Sequence, residues 1–362
     1  MFQLDVHLFE KSYSIYVDNS FRKIRELFEE YFGTDTYYIV ITDNNVFNYY
    51  YDEFKKVLNG ERIECFVFDA GEHSKSFETV EKIYDFLIKR SIDKKCVLIA
   101  LGGGVVGDVT GFVAGTYMCG VRYVQVPTTL LAQVDSSIGG KTGIDGYTLK
   151  NIIGIFKQPE FVFINTSTLE TLNDRHYRAG ITEMLVHGLV GGVEAFDYLQ
   201  NNMNKILLRD NDAMQEIIVR SCDIKVKLVE NDEFENSVRS YLNLGHTIGH
   251  AIEGWTNYQI LHGEAVSIGI YAIFKFACQK GFIKINDVKI VNDLLMKIGL
   301  PICLNTIEPI QIMKRMRYDK KVKNGKLYVI IPTKLGEVCI YPLNANDEDI
   351  ILQILKSLKQ AF

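Results

Sequence analysis

The apolar positions of this chain change their period about half-way along it. Phe2, Leu4, Val6 and Leu8 alternate with polar neighbours, and Tyr13, Ile15 and Val17 do the same, so residues 2–17 predict a β-hairpin. Short continuous apolar runs follow at 37–43, 63–68, 96–101 and 123–127, as expected of strands buried on both faces. Between them, Val80, Ile83, Tyr84, Leu87 and Ile88 have helical spacing over 79–90, and a second helix opens near Val105. Strands separated by helices predict a parallel α/β sheet. After about residue 172 the strand signal fades. Residues 175–300 are mostly helical in period, as in 213–220, with a hairpin-like piece at 326–332. The pattern predicts an α/β domain over 1–172 and a mainly α-helical domain over 173–362, a division that suits 362 residues.

Composition narrows the class without naming a function. A hydrophobic share of 47% with 23% charged residues fits a soluble enzyme. A net charge of -5 and the lack of a basic run argue against nucleic acid as a partner. The alternating N-terminus does not read as a signal peptide, and no run of about eighteen apolar residues suggests a membrane span. Seven cysteines, scattered and without a CxxC pair, point to reduced thiols in the cytoplasm.

Candidate chemistry is concentrated in two places. Of seven histidines, His246, His250 and His262 fall within seventeen residues. His246 and His250 are four apart and share a helix face, and the break at Trp255–Tyr258 can fold His262 back toward them. Imidazoles on one face with a carboxylate from elsewhere make a zinc site with an open position. The competing reading is three structural histidines on a half-buried helix.

The second place is Gly102–Asp108, which satisfies GxGxxG at 102, 104 and 107 between a strand and a helix. That context suits a pyrophosphate over a helix N-terminus, although a packing turn has the same composition. The following strand ends in Pro127-Thr128-Thr129 instead of an acid, so Asp43, closing an earlier strand, is the better ribose candidate. Gly71–Lys75 is a further loop past a strand. Gly139–Gly143 looks like the end of a phosphate-binding P-loop but lacks its first glycine, which leaves Lys141 as an anion contact.

Segments 102–108, 126–142, 243–253 and 262–264 together closely resemble the 3-dehydroquinate synthase family of sugar phosphate cyclases, and the resemblance runs over nearly the whole chain. It implies a homodimer that uses NAD and one divalent metal, zinc or cobalt. The substrate it implies is 3-deoxy-arabino-heptulosonate 7-phosphate, converted to 3-dehydroquinate and phosphate on the route to aromatic amino acids. In such a reaction a carbinol is oxidised transiently, phosphate leaves, the hydride returns and an aldol step closes the ring. Net redox is zero. The metal ligands implied are Glu183, His246 and His262, with His250 on the substrate side. Cofactor contacts would come from Asp43, Glu72 and Lys75, from the loop Gly103, Gly104, Val105, Val106, Gly107 and Asp108, and from Thr128, Thr129, Lys150, Thr168 and Thr171. Asp135, Lys141, Asn151, Lys225, Arg239 and Asn243 would meet the substrate, with Lys320, Lys321 or both. Lys141, Lys225 and Arg239 suit a substrate carrying phosphate and carboxylate.

Two positions depart from the family. Its Tyr-x-Arg-Gly-Val-Arg segment reads Tyr117-Met118-Cys119-Gly120-Val121-Arg122 here, and Val186 replaces a lysine three residues after the glutamate. Each lost charge-assisted hydrogen bond costs about 1.5–3 kcal/mol. A related cyclase with another substrate, such as an amino-dehydroquinate synthase, therefore stays open. Arg239 and Asn243 count against an inosose-forming type, whose substrate lacks a carboxylate. A metal-dependent polyol or alcohol dehydrogenase is a separate class, distinguished by net NADH production. A non-catalytic binding protein is suggested only by Cys119 and Val186.

Overall fold

The computed structural model describes residues 1–58, 62–146, 150–305, 307–317, 322–323 and 326–359. The chain forms two compact units, one of Met1–Asn173 with Asn211–Glu233, the other of Asp174–Asp210 with Phe234–Phe362. Residues 211–233, expected in the second domain, thus belong to the first unit. The helix Asn211–Asn231 is recruited there by side chains whose partners periodicity cannot reveal. Lys225 Nζ donates to Asp135 Oδ1 at 2.5 Å, and Glu230 accepts the His7 amide at 2.7 Å.

The first unit is built on β1 (Phe2–Val6), β2 (Tyr13–Asp18), β3 (Tyr38–Asp43), β4 (Ile63–Phe68), β5 (Val97–Gly102) and β6 (Arg122–Pro127). To these the chain adds a small hairpin of β7 (Lys141–Ile144) and β8 (Ile153–Phe156), then β9 (Phe161–Asn165). The main sheet has the order β1-β2-β9-β6-β5-β3-β4; β1 pairs antiparallel with β2 and every other pairing is parallel.

Both faces of the sheet are covered, which explains the unbroken apolar runs. Val40, Val97, Ile99, Leu101, Val124 and Val126 belong to one core, while Ile39, Ile41, Leu98, Ala100 and Tyr123 from the same strands belong to the other. Strand order also reverses within the sheet. From β3 the chain goes outward to β4, then crosses to β5 on the opposite side of β3. The crevice beyond the carboxyl ends of β3 and β5 is therefore the topological switch point, where open α/β sheets bind their ligands.

The second unit is mainly helical, with helices Asp174–Val190, Val193–Leu207, His246–Trp255, His262–Gln279, Ile285–Ile298, Pro309–Met316 and Ala345–Lys359. The late hairpin is present: Lys326–Lys334 pairs antiparallel with Glu337–Pro342. Glycines let the two histidine-bearing helices approach closely. Gly245 has φ +78°, and a Cβ there would lie 2.7 Å from Ile270 N. A Cβ on Gly249 would sit 3.0 Å from Val266 Cα, and one on Gly269 would overlap the Gly245 carbonyl.

Candidate active site

Glu183, on the helix Asp174–Val190, points its Oε1 at two imidazoles, 3.5 Å from His246 Nε2 and 3.5 Å from His262 Nε2. His246 opens one helix and His262 the next. The orientation of each ring is fixed from behind. His246 Nδ1 lies 3.1 Å from the Leu244 carbonyl, and His262 Nδ1 lies 2.9 Å from Glu253 Oε2. With those acceptors taking the Nδ1 protons, both Nε2 atoms turn lone pairs toward the carboxylate.

Burial works to raise the Glu183 carboxyl, but in the absence of a cation the positive charge of the two imidazoles in their protonated form outweighs it and holds the group well below the usual carboxylate range. Glu183 Oε1 is buried and has no hydrogen-bond partner among the described residues. Three inward-facing ligand atoms, spaced too widely for hydrogen bonds to one another, fit a divalent cation with nitrogen and oxygen ligands. His250 completes the group: its ring nitrogen and those of His246 and His262 lie within 4.8 Å of one another. Three imidazoles thus converge as the spacing suggested. The geometry brings His250 close without separating a ligand from a neighbour.

Further contacts brace this centre. Thr182 Oγ1 donates to the Gly263 carbonyl at 3.0 Å, joining the neighbour of Glu183 to the neighbour of His262. Glu264 accepts the Leu261 amide at 2.9 Å and holds Arg175 in a two-pronged pair at 2.7 and 2.8 Å. Sequence reading assigned no role to Glu253, Arg175 or Thr182. Glu253 alone had a signal, since it lies seven residues after His246 and three after His250 on the same helix.

In the first unit, Gly102 ends β5, Gly103 caps the helix Gly104–Thr116, and Val105, Val106, Gly107 and Asp108 form its first turns. The glycines serve close approach. A Cβ on Gly102 would lie 2.5 Å from Val106 Cγ2, and one on Gly107 would lie 2.7 Å from Gln125 Oε1. Asp43 closes β3 across the switch point, where its Oδ1 accepts the Asn45 and Val46 amides at 2.9 and 3.0 Å. Burial raises the Asp43 carboxyl, against the pull of those two amides.

Lys75 is buried, 2.5 Å from Asp108 Oδ2 and bonded to Asn151 Oδ1. Burial favours its neutral form, but Asp108 and Glu72 outweigh that and raise its pKa. Lys150 pairs with Glu72 at 3.3 Å. Thr128 is buried after β6, Thr129 Oγ1 accepts the Ala132 amide at 3.3 Å, and Tyr50 OH bonds to both the Thr168 carbonyl and Thr171 Oγ1.

The structure rules out a P-loop at Gly139–Gly143, because Lys141 begins strand β7 instead of a helix. Lys141 is exposed, whereas Lys225 and Arg239 are buried. Asn243 Nδ2 donates to Glu235 Oε1 at 2.7 Å. Lys320 and Lys321 lie outside the described residues. Cys119 is exposed in a left-handed turn at φ +59°, and Val186 is fully buried one helical turn past Glu183.

The family model for the N-terminal part of 3-dehydroquinate synthase matches residues 65–179, and that for its C-terminal part matches 180–322. The chain belongs to the 3-dehydroquinate synthase family. It is 43% identical over 361 residues to the 3-dehydroquinate synthase of Acetivibrio thermocellus, covering 99% of each chain. To that of Ruminiclostridium cellulolyticum it is 42% identical over 360 residues, again covering 99% of each. Among solved structures, 2-epi-5-epi-valiolone synthase from Streptomyces hygroscopicus, bound to NAD+ and Zn2+, superposes with a TM-score of 0.90. It is 25% identical, with 98% of this chain and 99% of that one covered. An iron-containing alcohol dehydrogenase from Thermotoga maritima, 16% identical with a TM-score of 0.69 over 98% of this chain and 100% of that one, shares the fold alone.

Proposed function

We propose that this chain is a carbon–oxygen lyase that converts 3-deoxy-arabino-heptulosonate 7-phosphate to 3-dehydroquinate and phosphate. The observation that carries this reading is the convergence of Glu183, His246 and His262 in a chain that matches its family from end to end. Those three side chains would hold the divalent metal, with His250 beside them on the substrate side. When bound, the metal supplies Lewis acidity at the substrate's carbinol oxygen, and NAD supplies a reversible hydride acceptor.

The chain's own residues orient these groups. The helix that begins at Gly104 offers backbone amides to a pyrophosphate, and the Asp43 carboxylate suits a ribose hydroxyl. Glu72, Lys75, Lys150, Thr128, Thr129, Thr168 and Thr171 are assigned to the same cofactor. Substrate contacts are assigned, as the family resemblance implies, to Asp135, Lys141, Asn151, Lys225, Arg239, Asn243 and His250. Lysine and arginine are the types that meet phosphate and carboxylate. We also infer a cytoplasmic homodimer. Seven unpaired cysteines support a reducing compartment, and no helix among the described residues is long and apolar enough to cross a membrane.

A direct test is metal analysis and phosphate release in Glu183→Ala and His246→Ala variants. Loss of metal and of turnover together is expected; full metal retention in both would overturn the ligand assignment. Cys119 and Val186 favour one second reading, a cyclase of the same superfamily acting on a different sugar phosphate. Phosphate release from a panel of such substrates separates the two.

A further inference from the structure

The amide of Gln133 performs a task that neither the metal nor the cofactor assignments include. Its side chain is fully buried in the turn that follows β6. Among the described residues, β6 and β9 share one ladder pair, Gln125 with Val162, so the two strands are not joined by ladder bonds at their carboxyl ends. Gln133 bridges that opening. Its Nε2 donates to the Pro127 carbonyl at 3.3 Å, to the Asn165 carbonyl at 3.1 Å and to Thr168 Oγ1 at 3.0 Å. Two amide protons are therefore shared among the end of β6, the end of β9 and the turn that follows β9.

The network continues on both sides. Thr168 Oγ1 donates to the Asn165 carbonyl at 2.8 Å, and the Thr168 carbonyl accepts from Tyr50 OH at 3.0 Å. The Thr128 amide, next to Pro127, donates to the Gly102 carbonyl at 2.9 Å. Gln133 thus anchors the backbone from which both Thr128-Thr129 and Thr168 project, one bond removed from the glycine turn.

Meanwhile Gln133 Oε1 is buried without a hydrogen-bond partner among the described residues. An unpaired buried acceptor is unfavourable, so the hydrogen bonding this amide contributes comes from its donors.

We propose that Gln133 is a positioning residue of the NAD crevice: it sets the ends of β6 and β9 so that Thr128, Thr129 and Thr168 meet the cofactor, without touching the cofactor itself. This rests on the NAD reading given above. The test is NAD binding to Gln133→Met, which keeps the length of the side chain and removes its donors. The dissociation constant should rise about 10-fold, the scale of one or two misplaced hydrogen bonds to the cofactor. The KM for NAD should rise by more than any fall in kcat, and metal content, set by the second unit, should hold. A lowered Tm with an unchanged NAD dissociation constant would show a merely structural amide and overturn the inference. If the methionine variant does not fold, Gln133→Asn gives the same reading, because its shorter amide cannot span both carbonyls. Failure of the unsubstituted protein to bind NAD would instead overturn the cofactor reading, and this inference with it.

Discussion

Glu253 Oε2 lies 2.9 Å from His262 Nδ1, so a buried carboxylate sets the direction in which His262 presents its other nitrogen. A carboxylate behind a ligating imidazole fixes its tautomer and raises its basicity. Replacing Glu253 with alanine should leave the candidate ligands in place and weaken metal binding about 10- to 100-fold. Chelator competition measures this. An affinity equal to that of the unsubstituted protein would mean that Glu253 does not support the centre.

Asp43 has two tasks that one substitution separates. Its side chain caps the turn that starts at Asn44 and, on the proposed reading, meets the cofactor's ribose. Asp43→Asn keeps a capping oxygen and removes the charge. NAD binding should weaken about 10-fold, and discrimination against NADP, whose 2′-phosphate the carboxylate repels, should fall. Unchanged affinities for both nucleotides would place the ribose elsewhere.

The histidine cluster was legible because four-residue spacing is a local signal. Glu183 was not, since it lies 63 residues before His246 and nothing nearby marks it; only the family resemblance pointed to it. Glycines hid the β7–β8 hairpin, where Gly143 and Gly154 oppose one another and break the apolar alternation. The run Phe161–Asn165 is a strand of ordinary composition, and its pairing with β2 and β6 is long-range information. The helix Asn211–Asn231 shows the same limit. Periodicity marks it as a helix, but long-range pairs such as Lys225 with Asp135, Glu230 with the His7 amide and Cys222 with the Gln133 carbonyl reveal which unit it joins.

Cys119 is exposed, so an arginine introduced there need not disturb a core. If the ordinary family substrate is used with a weakened phosphate contact, Cys119→Arg should lower its KM by about 10-fold or more. Val186 is unsuited to the same experiment, because its side chain is fully buried and a lysine there must find room for its charge. An unchanged KM in Cys119→Arg, with efficient turnover in both proteins, would show that the phosphate pocket does not need that contact.

Asp347 is buried against Lys280 at 2.8 Å and accepts from the Asn344 amide at 3.1 Å. Burial works to raise its carboxyl, but Lys280 and the Asn344 amide outweigh that and hold it below the usual carboxylate range. A depressed carboxyl stabilises the fold above its unfolded pKa and loses that contribution as pH falls through the folded value. Thermal unfolding should therefore show an acid loss of stability below about pH 4 that is shallower in Asp347→Asn. Identical acid profiles would remove Asp347 from the account.

The central claim is that NAD is recycled within each turnover. Its most direct test follows phosphate and NADH together, with 3-deoxy-arabino-heptulosonate 7-phosphate in excess over NAD and the metal-loaded protein. The account predicts phosphate well beyond the amount of NAD supplied, no lasting NADH, and loss of both metal binding and turnover on removal of the candidate metal ligand His262. NADH accumulating in step with substrate consumed, without phosphate, would contradict it and place the chain's chemistry with the dehydrogenases that share its fold.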